Sequence, residues 1–343
     1  MARFFSKAAL AAIACAAIVS GVIEAYAQGA PISVRLTVQP KTGVTTLVEL
    51  AIEKGFFKEV GLDVKTETVA HGPAAITALA SGSVDVATNA PEVFMALAGR
   101  GQGLKLIAGQ TRQAGVFATR PGLDVPANFP DSVRALKGKK IGVTALASAT
   151  HYLAITMLSS AGLDATDVQF IAVSFSAPQA LSAGHIDAAI LTGPQIETSQ
   201  MLGARVIIDL RSTKNCPGQL QICGISQIGM WAMTDWINKN AEAVRRIRKA
   251  IAKADVFIHD PANAEFAKQF IGSHVAANMD EKVRDGYIQG ALTILAADFP
   301  RADLEKWVAI DFKNGVMPRA MPVDEVFAEG TPETQQAVKE LAR

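Results

Sequence analysis

The sequence predicts an α/β protein of two similar lobes joined by two crossing segments, followed by a helical C-terminal part. Three observations carry that class. A nine-residue pattern, L-x-small-G-x-(V/I)-D-x-A, occurs as Leu79 to Ala87 and again as Leu181 to Ala189, 102 residues later. Gly61-Leu62-Asp63 returns as Gly162-Leu163-Asp164 at an offset of 101. Two matches at nearly one offset indicate a duplicated lobe, because solenoid periods are far shorter. Within each copy strand and helix signals alternate, and the last third reads as helix.

In the first copy, Val34 to Val38 is a short apolar strand, and Leu47, Leu50 and Ala51 form a helical stripe that stops near Gly55. Leu62 to Val69 alternates as a strand, and Pro73 to Ala80 is a helix with proline in its first turn. Val84 to Ala87 is a buried strand, Pro91 to Ala98 a helix and Leu104 to Ala108 another strand. The second copy repeats the order: strand at Lys140 to Thr144, helix at Thr150 to Ser160, then Val168 to Val173, Pro178 to Ala183, Ala188 to Thr192 and Val206 to Leu210. Such alternation predicts parallel sheets covered by helices, one per lobe. From about Asp235 the chain is helical, with amphipathic stretches at Ala241–Ile258, Ala264–Phe270, Asp280–Leu295 and Ala302–Phe312. Arg245, Arg246, Arg248 and Lys249 read as a solvated helix face. The crossings are expected near Gly115–Thr119 and Ile228–Met233. This assigns 28–115 with 231–343 to lobe I and 116–230 to lobe II.

Residues 1–27 read as a secretory signal. Arg3 and Lys7 supply the positive start, Ala8 to Ile23 is uncharged and apolar, and Ala25-Tyr26-Ala27 sets cleavage before Gln28. A lipidated Cys15 is the rival reading, but Ala12-Ile13-Ala14 lacks the usual leucine-like residue. Removing Arg3, Lys7 and Glu24 takes the net charge from +1 to zero. No charge excess remains to attract nucleic acid or anionic lipid, so neither is an expected partner. No later segment has the apolar length of a membrane span. The mature protein is expected to be soluble and exported. Its two remaining cysteines, Cys216 and Cys223, flank a loop with Pro217 and Gly218 and are expected to form a local disulfide.

Catalytic signatures are missing. The five histidines are scattered singly, there is no His-Glu-x-x-His, nucleophile elbow or P-loop, and no metal or cofactor is expected. Gly99-Arg100-Gly101-Gln102-Gly103 follows a helix and precedes a strand, the reverse of a dinucleotide fingerprint, and reads as a helix stop. Binding geometry is better supported. Ligands of open α/β sheets bind beyond the carboxyl ends of strands, where loops run into helix N-termini. The loops so placed contribute Gln39, Lys41, Thr42, His71, Gly72, Asn89 and Arg112 from the first lobe, and Ser148, Thr150, Ser174 and Thr192 from the second. Their backbone N–H groups and hydroxyls suit a small anion without a buried counter-charge. Each is also an ordinary capping or loop residue when taken alone. Trp231, at the expected return crossing, is read as a cleft wall or as core. Asp85 and Asp187, at equivalent repeat positions, are read as structural.

Several stretches resemble a known family. Glu53-Lys54-Gly55-Phe56-Phe57-Lys58-Glu59-Val60-Gly61-Leu62-Asp63-Val64 is similar to the opening motif of the nitrate/sulfonate/taurine-type solute-binding proteins of ABC importers, a group related to thiamine-pyrimidine binders. So are Ala78 to Asp85, Leu136-Lys137-Gly138-Lys139-Lys140-Ile141-Gly142-Val143 and Ala161 to Asp164. The resemblance runs from about Val34 to Pro194 and more weakly beyond. It implies a type II periplasmic-binding fold whose lobes close on a ligand. It also implies a non-enzymatic role, as a periplasmic monomer that hands its ligand to a membrane permease and its ATPase. The family's cargo is too varied for the ligand to carry over, and a small organic anion, of sulfonate or carboxylate type, is expected instead from the helix starts and hydroxyls of the loops. By position it places Gln39–Thr42, His71–Gly72, Asn89, Ser148–Thr150, Ser174 and Thr192 in the cleft. A pyrimidine or thiamine-precursor ligand is the alternative. A pyrimidine-synthase-like enzyme, which holds pyridoxal phosphate on a lysine and consumes its own histidine, is the lesser reading, opposed by the export signal and the lack of clustered cysteines.

Overall fold

A computed structural model describes residues 30–343, except 215 and 278 and the side chain of Lys282. The expected signal segment and Cys15 lie outside the described residues.

Among the described residues ten strands follow in chain order: β1 (Ile32–Val38), β2 (Leu62–Thr68), β3 (Val86–Asn89), β4 (Leu104–Arg112), β5 (Val116–Thr119), β6 (Lys140–Val143), β7 (Gln169–Ala172), β8 (Ala188–Leu191), β9 (Arg205–Asp209) and β10 (Ser226–Met233). They build two five-stranded sheets, ordered β2-β1-β3-β10-β4 and β7-β6-β8-β5-β9. The orders are the same pattern written twice, as the sequence echo predicts. Neither sheet is wholly parallel, however: β10 runs antiparallel to β3 and β4, and β5 antiparallel to β8 and β9. Parallel strands joined by helices all end on one side of their sheet. The link from β4 to β5 is too short for a helix, so β5 begins beside the strand ends and must run back. The segments read as crossings, 115–119 and 228–233, are therefore largely these two strands. The expected boundary at 230 falls inside β10, whose partners all belong to the first sheet. The chain passes between sheets at 113–115 and again through 210–225.

The repeated aspartates explain the shared motif. Asp85 accepts the backbone N–H of Arg35 at 2.8 Å and returns its own N–H to Arg35's carbonyl at 2.9 Å. Asp187 does the same with Lys140, at 3.0 and 2.8 Å. A guanidinium closes each clamp, Arg35 at 2.6 Å from Asp85 and Arg120 at 3.1 Å from Asp187. Each aspartate thus pins the start of one strand to its neighbour. The glycine three residues earlier, Gly82 or Gly184, makes the preceding left-handed turn, at φ 73° or 71°.

The C-terminal part covers the first sheet. Helix Ala241–His259 buries Val244, Ile247, Ile251 and Ile258 against it. Its basic run is less solvated than its pattern suggests. Arg246 donates to Gly61's carbonyl at 2.9 Å, and half-buried Arg248 to Ile107's at 2.8 Å. Burial lowers Arg248 to about 10. These side chains bind the helix to strand and loop backbone, which a count of charges along one helix does not show.

Candidate functional site

Between the two sheets lies a cleft, open to solvent at its mouth, with about 1120 Å³ of empty space when the open mouth is counted in. The loops that follow β1, β2 and β3 line one side with Gln39, Thr42, His71, Gly72 and Asn89. Those after β6 and β8 line the other with Thr144, Ser148, Thr150 and Thr192. Eight of the twelve expected site residues therefore share one space.

Their local chemistry differs. His71 caps helix Gly72–Ala80, its Nδ1 accepting from the N–H of Ala74 at 3.3 Å. Asn89 is buried, and its Oδ1 accepts the N–H of Ala90 at 3.0 Å ahead of helix Pro91–Ala98. That side chain needs Gly72 beside it: a Cβ at 72 would stand 3.0 Å from Asn89 Oδ1. Thr42 donates to Gln39's carbonyl at 2.6 Å and so ties its loop together. Ser148 precedes helix Ala149–Ser160 in the N-cap position without capping it. Its hydroxyl donates to Ala145's carbonyl at 2.7 Å instead, and lies 3.0 Å from Thr150 Oγ1. The first N–H groups of this twelve-residue helix are left without a side-chain partner, beside the cleft.

The other four expected residues lie elsewhere. Lys41 is exposed in a left-handed turn at φ 66° and does not line the cleft. Arg112 pairs with Asp298 at 2.6 Å and bonds the hydroxyl of Ser226, so it fastens β4 to β10 and to the C-terminal part. Ser174 points its backbone into the turn after β7, at φ 49°, and its neighbour Phe175 reaches the cleft in its place. Trp231 is fully buried and stacks on Phe94, centroids 5.0 Å apart. It is core because β10 is an interior strand of the first sheet.

Sequence reasoning missed the remaining walls. The helical part supplies Ile271, Val275, Tyr287, Ala291, Ile294 and Leu295, which make one side apolar. Gln227 of β10 and Ala114 of the first crossing form part of the lining. Glu197 and Arg211 bring charge. Arg211 is held by Asp209 through two hydrogen bonds of 2.9 and 2.7 Å, and its Nη1 lies 3.6 Å from Glu197. Burial pushes the Glu197 carboxyl above its ordinary range despite Arg211. Burial, with Glu197 nearby, likewise raises the Tyr287 phenol. The signal for Glu197 was one helical turn past Thr192-Gly193; none pointed to Tyr287, which arrives by a long-range fold-back. Among the described residues no group of three or more His, Cys, Asp or Glu is placed to hold a metal ion. Cys216 and Cys223 form the expected disulfide, Cα atoms 6.0 Å apart, within the return passage 210–225.

The comparisons with known proteins agree with this architecture. A Brucella abortus protein provisionally named a binding protein is 26% identical over 281 residues, covering 74% of this chain and 81% of that one. A Bordetella bronchiseptica protein of solved structure superposes with a TM-score of 0.71 at 26% identity, covering 90% of this chain and 96% of the other. The periplasmic aliphatic sulphonate binding protein of Escherichia coli superposes with a TM-score of 0.66 at 17% identity, covering 87% and 98%. That likeness establishes the fold, a periplasmic-binding-protein architecture. The family described as NMT1/THI5 like matches residues 42–264, well over half of the sequence, and the chain belongs to that family.

Proposed function

We propose that this protein is the extracytoplasmic solute-binding component of an ABC importer, capturing a small organic anion between its halves without transforming it. The observation that carries the reading is the cleft itself. Strand ends and helix starts from two duplicated sheets converge there, and the helix at Ser148 offers uncapped N–H groups to it. Such a helix start favours negative charge through its unpaired donors and aligned peptide dipoles. The opposite wall is apolar, so a sulfonate or carboxylate on a hydrocarbon or ring body fits both chemistries. A ligand touching both halves binds the closed state more tightly, and closure is what a permease would recognise. The sulphonate-binding E. coli relative supports the anion class. Export through residues 1–27, action as a monomer and delivery to a permease with its ATPase belong to the same proposal.

The test is a thermal-shift screen of the purified mature chain against sulfonates, carboxylates, nitrate, pyrimidines, neutral sugars and amines. An organic anion should raise the melting temperature in a dose-dependent way. A response confined to sugars or amines would overturn the anion class. Turnover of a bound acid, or a pyridoxal absorbance band in the pure protein, would overturn the transport reading.

A further inference from the structure

The charges of the cleft do not balance. Glu197 and Arg211 both line it, but Arg211's guanidinium is already engaged in a two-point ion pair with Asp209. Its remaining Nη1 makes only a long ion pair with Glu197 Oε1, at 3.6 Å, beyond hydrogen-bond distance. No other side chain among the described residues donates to the Glu197 carboxylate, which only its own backbone N–H addresses closely. Its Oε2 is buried without a partner. Tyr287, Ile196 and Gly193 flank the position along the cleft wall. Two carboxylates against one guanidinium leave a surplus negative charge at this end. A half-buried carboxylate that accepts too few hydrogen bonds is costly until a donor meets it. A simple anion supplies no donor and would add like charge.

We infer that Glu197 is the specificity-determining residue of this cleft, selecting small acids that also carry an N–H or O–H donor over the same acids without one. The inference rests on the solute-binding reading above and narrows its ligand class to amino-, amido- or hydroxy-substituted acids. The anionic group lies toward the helix start at Ser148 and Thr150, and the donor reaches the Glu197 carboxylate. Discrimination then works by negative selection as much as by attraction, because a donor-free acid leaves the carboxylate unmatched and its charge opposed.

The experiment is calorimetry on the wild type and Glu197→Gln with matched pairs: ethanesulfonate and 2-aminoethanesulfonate, propionate and 3-hydroxypropionate, benzoate and 4-aminobenzoate. The wild type should prefer the donor-bearing member of at least one pair by about tenfold or more. Glu197→Gln should shrink that ratio toward one, chiefly by weakening the donor-bearing member. Equal or tighter binding of the donor-free member in every pair that binds overturns the inference and leaves the capture of organic acids standing. A wild-type preference that Glu197→Gln does not reduce assigns the selection elsewhere and also overturns it. If no acid in the panel binds, the reading beneath fails and takes this one with it. Should Glu197→Gln not fold, the wild-type ratios alone still decide whether donors are selected.

Discussion

Gly193, in the second half, lies so close beneath the backbone of Thr42, in the first, that a Cβ on it would stand 3.0 Å from the Thr42 carbonyl oxygen. The Tyr287 hydroxyl would be 3.7 Å away, so three separate parts of the chain meet at one glycine. With φ 54° and ψ −138°, its backbone is also one that other residues rarely adopt. Gly193→Ala is therefore expected to hold the halves apart and weaken ligand binding by about tenfold or more, a scale set by the closure free energy it removes. The control is Gly184→Ala, whose φ of 71° also carries a backbone cost but whose Cβ would meet nothing within 4 Å. Both should lower the melting temperature, and only Gly193→Ala should reduce affinity in calorimetry. Equal affinity loss in the two would show that general destabilisation, not contact across the cleft, is responsible.

Asn89 and Lys41 separate a cleft residue from a bystander. Asn89 is buried, lines the cleft and is positioned by its bond to Ala90 N–H, whereas Lys41 is exposed on the outside of the β1 loop. Asn89→Ala should weaken binding of whichever acid the screen identifies by about 1–2 kcal/mol, the worth of a lost polar contact in a desolvated site. Lys41→Ala should leave it unchanged at physiological salt. Titration calorimetry on both variants checks this. A larger loss for Lys41→Ala would mean that the ligand is held by surface charge.

The contrast between those residues shows what could be read from the sequence. Asn89, Gln39 and Thr192 were legible because a strand end followed by a helix start has a local signature, and topology aims all such ends at one place. Arg112 has the same local signature and fails, because its partner Asp298 comes from a C-terminal segment 186 residues away. Trp231, open in sequence between cleft wall and core, proves to be core, and the ambiguity has a related cause: a strand that begins at the cleft looks, in sequence, like a linker. Asp85 and Asp187 were legible as structural through their repetition alone. Tyr287 and Ile271 lay beyond reach, since an amphipathic helix shows that one face is covered and not what covers it.

Cys216 and Cys223 close a short loop inside the return passage, which also carries Arg211 at its start. Leu220, Ile222 and Cys223 are buried there, so the passage packs as part of the molecule. Closing a loop of this size restricts the unfolded chain by about 2–3 kcal/mol on the loop-entropy estimate. The double substitution Cys216→Ser and Cys223→Ser should lower the melting temperature by roughly 3–4 °C. Reducing agent should lower the wild type similarly and leave the variant unaffected. An unchanged melting temperature on reduction would show that packing of Leu220 and Ile222 alone holds the passage.

His259 gives the protein a pH-dependent element outside the cleft. At the end of helix Ala241–His259, its Nδ1 lies 2.8 Å from Asp255 Oδ1 and its Nε2 3.0 Å from Leu292's carbonyl oxygen. With both ring nitrogens facing acceptors, the doubly protonated imidazolium is the form that satisfies the site. The hydrogen bond to Asp255 is the main cause that raises His259 to about 9, against an opposing effect of burial. A group whose pKa is higher folded than unfolded stabilises fully below its unfolded value, near 6.5. That contribution declines as pH rises and is gone once pH passes the folded value. His259→Gln should therefore melt well below the wild type at pH 6, with the gap closing between about pH 7 and pH 10. Because the ring is partly exposed, the gap should also narrow in high salt. Thermal melts of the two proteins across that range decide the matter. A gap that stays constant with pH would mean that the ring acts through packing and neutral hydrogen bonds, and that its charge contributes nothing to stability.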